Sequence, residues 1–161
     1  SRVFYMDQGV VYEEGTPDQI FDNPKRPKTA SFIQRVRSMT FEINHIKFDL
    51  YELNAKIESF CQKYFLSSQI ERDIQLLYEE ILMNRMLADK SKQPNLTLAV
   101  QYSEKTNDII LSIDNRAEPI DLFSPKDEND FSSILINRLS SDRVSTEENG
   151  VQTIRLTLRK K

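Results

Sequence analysis

The residue types that carry most enzyme chemistry are sparse in this chain. It has one histidine, His45, and one cysteine, Cys61, which leaves no triad of the usual kind, no His/Cys metal cluster and no intramolecular disulfide. His45 lies in the alternating stretch Phe41-Glu42-Ile43-Asn44-His45-Ile46-Lys47-Phe48, which predicts a strand with His45 as an ordinary member. The three glycines, Gly9, Gly15 and Gly150, are far apart. Loops that cradle phosphates need closely spaced glycines, whose backbone N–H groups can turn inward around an oxyanion. Neither GxxxxGK[ST] nor GxGxxG occurs, so nucleotide chemistry by those two routes is excluded within this sequence.

The bulk properties describe a globular chain with a heavily charged surface. Of 161 residues, 39% are hydrophobic and 29% charged, with a mean hydropathy of -0.54. Twenty-two basic and 25 acidic residues give a net charge of -3, which is no electrostatic footprint for nucleic acid. No apolar run approaches the roughly 18 residues of a membrane span, and nothing at the start has the order of a signal peptide. The expectation is an intracellular protein.

Two segments must position whatever chemistry there is. In the first, Val3–Met6 and Val10–Glu13 predict a hairpin around Asp7-Gln8-Gly9, followed by a short helix with Thr16 at its N-cap and Pro17 at its first position. Asn23-Pro24 and Arg26-Pro27 stop it, and Thr29 to Val36 offers one more short helix. The pattern changes at about residue 39. Leu50, Leu53, Ile57, Phe60 and Tyr64 draw an apolar stripe along a helix over 49–65, and Ile70, Ile74, Leu77 and Ile81 a second over 69–88. Alternation then predicts strands at Leu96–Tyr102 and Ile109–Ile113 joined by a Glu104–Asn107 turn. A third helix is capped by Asn129-Asp130, and a closing hairpin turns at Asn149-Gly150. The order implies an α+β two-layer sandwich: three helices on one face of a mixed, mostly antiparallel sheet at 39–161, after a small α/β piece at 1–38.

Residues 2–36 resemble the C-terminal end of the ATP-binding subunits of polar amino-acid ABC importers. The residues that carry this are the strand pair Val3–Glu13, then Glu14-Gly15-Thr16-Pro17, Ile20-Phe21, Asn23-Pro24 and Thr29-Ala30-Ser31-Phe32 in that order. The resemblance implies a parent ATPase whose Walker, signature and switch elements would lie before Ser1. ATP and magnesium would bind there, and none in this fragment. Permease subunits would be its partners.

The stretch 41–160 is similar to the small ATPase-fold (GHKL) domains of anti-sigma-factor serine kinases. Tyr78-Glu79-Glu80-Ile81-Leu82-Met83-Asn84 looks like that family's helix motif, and Asp114-Asn115-Arg116-Ala117-Glu118-Pro119 like its Asp-x-Gly-x-Pro motif. The resemblance implies a metal-binding role for Asn84, an activating role for Glu80 and recognition of the adenine amine by Asp114, as vestigial nucleotide-site positions. The departures matter as much. Arg116 replaces the glycine and is expected to crowd the base, and Asn129-Asp130-Phe131-Ser132-Ser133 stands where the family has a glycine-rich lid. The expected function is therefore a regulatory and dimerisation portion of an importer ATPase, a homodimer with no chemistry of its own, with a small-molecule or protein effector on the second domain. An anti-sigma-like serine kinase, or a free-standing protein-binding module, is the alternative. Self-association is expected through the strands of the first hairpin.

Overall fold

The computed structural model describes residues 1–160. They divide into two compact units: Ser1–Arg37 with Tyr102–Asn107, and Ser38–Gln101 with Asp108 onward.

In the first unit, β1 (Val3–Asp7) and β2 (Val10–Gly15) pair antiparallel around Gln8-Gly9, both at positive φ. Two short helices follow, α1 (Pro17–Phe21) and α2 (Pro27–Gln34). Thr16 closes a capping box: its hydroxyl accepts from the Gln19 amide while the Gln19 side chain accepts from the Thr16 amide, which satisfies two otherwise orphaned donors. Glu13 ties the hairpin to the second helix by accepting from the Lys25 and Arg26 amides. Helix α2 ends earlier than the sequence pattern implies, because Arg35 takes the left-handed conformation (φ 52) and Val36 already belongs to a strand.

The second unit is a helix layer on one sheet. Strand β3 (Val36–Ile43) is followed by α3 (Leu50–Lys63), capped by Asp49, and by α4 (Ser68–Ile81), capped by Ser67. Then come β4 (Leu96–Ser103), β5 (Ile109–Asn115), α5 (Phe131–Leu139), β6 (Ser140–Glu148) and β7 (Val151–Leu158). The strand order is β3-β4-β5-β7-β6. Every pairing is antiparallel: β5 and β6 each run against β7, β4 meets β5 through a tight turn, and the β3–β4 contacts join Arg35 to Glu104 at one end and Asn44 to Gln93 at the other. The parallel pair of a mixed sheet is absent from these pairings. His45 is also placed differently from expectation. It lies in the exposed turn after β3, where its Nδ1 accepts from the Lys47 amide at 3.1 Å.

The core lies between the layers. Leu98, Val100, Leu111, Ile113, Ile154 and Leu156 face Leu53, Ile57, Ile74, Leu77 and Ile81, all at 2% exposure or less. Cys61 is fully buried on α3, and burial pushes its thiol up to about 12. Because the thiolate is the reactive form, Cys61 should resist maleimide labelling at neutral pH and label completely in denaturant. Rapid labelling of the native chain would contradict this packing. Among the described residues no helix is long and apolar enough to cross a membrane.

Candidate functional site

The helix that carries Glu80 does not remain α-helical to Asn84. After Ile81 it widens into a π-helical turn, Leu82–Met86, and the Leu87 amide reaches back to the Leu82 carbonyl at 2.8 Å. Such turns cost hydrogen-bond geometry and often mark functional positions. Glu80 and Asn84 fall on opposite sides of that change of winding. Asn84 is exposed, and Glu80 accepts a 2.7 Å hydrogen bond from the Ser132 hydroxyl on α5.

Asp114 lies on the other side of the sheet. Strand residues alternate faces, and Ile109, Leu111 and Ile113 are buried under the helices, so Asp114 points away from them and accepts from Thr153 Oγ1 at 3.1 Å. Arg116 shares that parity. Its guanidinium reaches Thr97 Oγ1 at 3.0 Å and does not crowd the cleft. The structure thus does not bring Asp114 into one site with Glu80 and Asn84.

The residue that does face the helix layer is Asn115, which is 2% exposed. Its Oδ1 accepts from the Ala117 amide at 3.0 Å, and its Nδ2 donates to the Glu118 carbonyl and to Gln152 Oε1 at 3.0 and 3.2 Å. Gln152 in turn grips Ile120 through both its backbone groups. These two buried amides hold the 115–120 loop beside a cavity of about 250 Å³, lined by Arg85, Leu87, Lys92, Asn115, Glu118 and Ile120 among others. The polar groups that line it are engaged with one another: Lys92 pairs with Glu118 at 2.6 Å and Asn115 is saturated as above.

The π-turn's Arg85 lines the same cavity and is fastened to the 121–130 segment. Its guanidinium donates to Asp130 at 3.0 Å and to the Asp121 carbonyl at 2.8 Å, with the two charged side chains only 5% and 9% exposed. Asp130 also caps α5 and accepts from the Lys126 amide and from Ser133. Those bonds, the Lys126 amide first, hold its carboxyl down at about 2. A depressed carboxylate contributes stability that is complete above its ordinary value of 3.8 and fades as the pH falls through about 2. Asp130→Asn should therefore lower the denaturation midpoint at neutral pH, and its gap from the parent should close progressively below pH 3.8. A gap independent of pH would mean that the ionised form contributes nothing.

Segment 121–134 is thus a fastened loop and helix where the resembled family has a glycine-rich lid. Reading residue types alone misses Arg85, Asn115, Asp130 and Gln152. The period-2 alternation of β5 contained the signal for Asn115, and the cap at Asp130 was legible as a cap though its cation was not. Among the described residues no group of three or more His, Cys, Asp or Glu could hold a metal ion.

Comparison with solved structures gives the class of fold first. The chain is similar to a chain of the SiaB-SiaC complex from Pseudomonas aeruginosa, with a TM-score of 0.59 at 14% identity, over 81% of this chain and 94% of that one. The likeness is one of fold. In sequence, 35 residues are 43% identical to the L-cystine import ATP-binding protein TcyN of Bacillus subtilis (strain 168), and 35 are 46% identical to the probable amino-acid ABC transporter ATP-binding protein y4tH of Sinorhizobium fredii (strain NBRC 101917 / NGR234). Each match covers 22% of this chain and spans 14% of the curated relative's length. No protein-family model matches the chain.

Proposed function

We propose that this chain is the C-terminal regulatory and dimerisation portion of the ATP-binding subunit of an amino-acid ABC importer, with no catalytic chemistry of its own. The observation that carries the reading is the 35-residue similarity, at 43% and 46% identity, to two amino-acid transport ATP-binding proteins. In this reading ATP and magnesium bind a domain N-terminal to Ser1, the permease subunits hold that domain at the cytoplasmic face of the membrane, and residues 39–161 form a regulatory domain answering to a small molecule or a protein. The absence of catalytic chemistry is supported by the commitment of the polar side chains there, since Arg85 pairs with Asp130 and Asn115 with Gln152.

The deciding measurement is ATP hydrolysis by the parent polypeptide with its permease, with and without residues 39–161. Hydrolysis that survives the deletion but responds differently to the permease is the expected result. A reading frame with no ATPase elements upstream of Ser1 rejects the proposal outright. A second reading is a protein-binding module of this fold, or an anti-sigma-like serine kinase, acting apart from transport. It is favoured by the likeness to a chain from a complex of two proteins.

A further inference from the structure

We infer that the second unit pairs with a second copy of itself along the free edge of β3 and the adjoining face of α3. Strand β3 ends the five-stranded sheet, with β4 as its one neighbour, so its other edge presents unpaired backbone groups of the kind that recruit another strand. The Thr40 carbonyl on that edge is met by Lys56 Nζ at 3.4 Å, the outer limit of a hydrogen bond. Between this edge and α3 runs an open groove of about 540 Å³.

The residues along the groove are self-complementary. Glu52, Ala55, Ser59 and Lys63 line it from the helix side, and their spacing of three and four places them in one stripe. Glu52 lies in the first turn of α3 and Lys63 in the last; the two middle positions are small and exposed. Two such helices laid antiparallel about a two-fold axis can approach closely at Ala55 and Ser59, and each Glu52 then meets the Lys63 of the other copy. A two-fold interface repeats every contact, so the opposite charges pair twice. The strand agrees with the same axis. Antiparallel pairing of two β3 edges about Thr40 sets Met39 opposite the second copy's Phe41, on the face that already carries Phe60 and Tyr64. Apolar cross-strand pairs of this kind stabilise a sheet. Lys56, which now lies 5.6 Å from the Phe41 ring centroid, would give up the Thr40 carbonyl to the incoming strand.

The inference rests on the dimerisation part of the proposed function, and the experiment separates the two. Sedimentation equilibrium of the 161-residue chain should give a dimer. Glu52→Lys and Lys63→Glu should each weaken it about tenfold or more, because each puts like charges together twice. Both substitutions in one chain should restore the dimer, since the pair is then exchanged. Both positions are exposed, and far-UV circular dichroism checks that each variant is folded. In parallel, Ser59→Cys should cross-link to its copy through a short bismaleimide, with Cys61 sheltered in the core. A monomer at high concentration overturns both dimerisation and this surface. A dimer indifferent to both single reversals leaves dimerisation standing and overturns this surface, in favour of another such as the β1–β2 hairpin.

Discussion

Tyr78→Ala should be among the most destabilising single substitutions in the second unit, lowering the unfolding free energy by about 3–5 kcal/mol, the usual range for deleting a buried ring. Tyr78 lies on α4, is 1% exposed, and fills the space between helix and sheet. Its hydroxyl bridges two strands, lying 2.6 Å from the Ala99 carbonyl of β4 and 3.1 Å from the Ser112 carbonyl of β5. One hydroxyl hydrogen is shared between these acceptors, so the side chain pins the helix layer to the middle of the sheet. Burial drives its ionisation far above the ordinary tyrosine range, and the group stays a neutral donor at every accessible pH. Tyr78→Phe keeps the ring and removes the donor, leaving dry carbonyls short of a partner, and should cost about 1–3 kcal/mol. For a domain whose total stability is about 5–15 kcal/mol, the alanine variant should lose a large share of that margin and the phenylalanine variant a smaller one. Urea titrations followed by circular dichroism check the order. A phenylalanine variant as damaged as the alanine variant would mean that the hydroxyl, and not the ring, dominates.

Calorimetry with ATP and magnesium should show no binding tighter than the millimolar range. A nucleotide site of the resembled type takes much of its affinity from phosphates held by backbone N–H groups in a glycine lid, and hydrogen bonds to a charged group contribute about 1.5–3 kcal/mol each. Without three of them the affinity falls by roughly 5 kcal/mol or more, and each 1.4 kcal/mol is about a tenfold change. The segment in that place is committed elsewhere, because Asp130 is held by Arg85 and by the Lys126 amide and serves as the cap of α5. The base end is no better provided. Asp114 points to the far side of the sheet, and Asn115, the residue facing inward, has spent its amide on Ala117, Glu118 and Gln152. Asn84 alone supplies one neutral oxygen, and magnesium so held depends on phosphates for its remaining ligands. Micromolar binding that disappears in Asn84→Ala is the result that would overturn this expectation.

Much of the architecture was written in local pattern. The apolar stripes of α3 and α4 follow from Leu53, Ile57 and Phe60 and from Ile74, Leu77 and Ile81, whose spacing can bury a single face only in a helix. The closing turn follows from Asn149-Gly150, which take φ of 52 and 76 as a two-residue hairpin requires. Thr16 and Asp130 were visible as helix caps because a short side-chain acceptor ahead of a helix is a local device.

The site was not legible in the same way. Glu80 and Asn84 fitted a motif by type, but residue spacing announces neither the π-turn at Leu82–Met86 nor the Ser132 hydroxyl that Glu80 meets; packing of that turn against the 121–130 segment, through Arg85, accompanies it. Asp114 matched a motif by type, yet the side of the sheet it occupies depends on which members of β5 are buried, and the burial of Ile109, Leu111 and Ile113 hands the inward position to Asn115. By itself the sequence determined most of the helices, strands and turns, since those are short-range consequences of periodicity and capping, though not the bounds of β3 or the π-turn after α4. Which polar groups meet was decided by the tertiary structure, because a pair such as Arg85 with Asp130, 45 residues apart, exists only once two elements have been brought together, and its partners are then no longer free to meet a ligand.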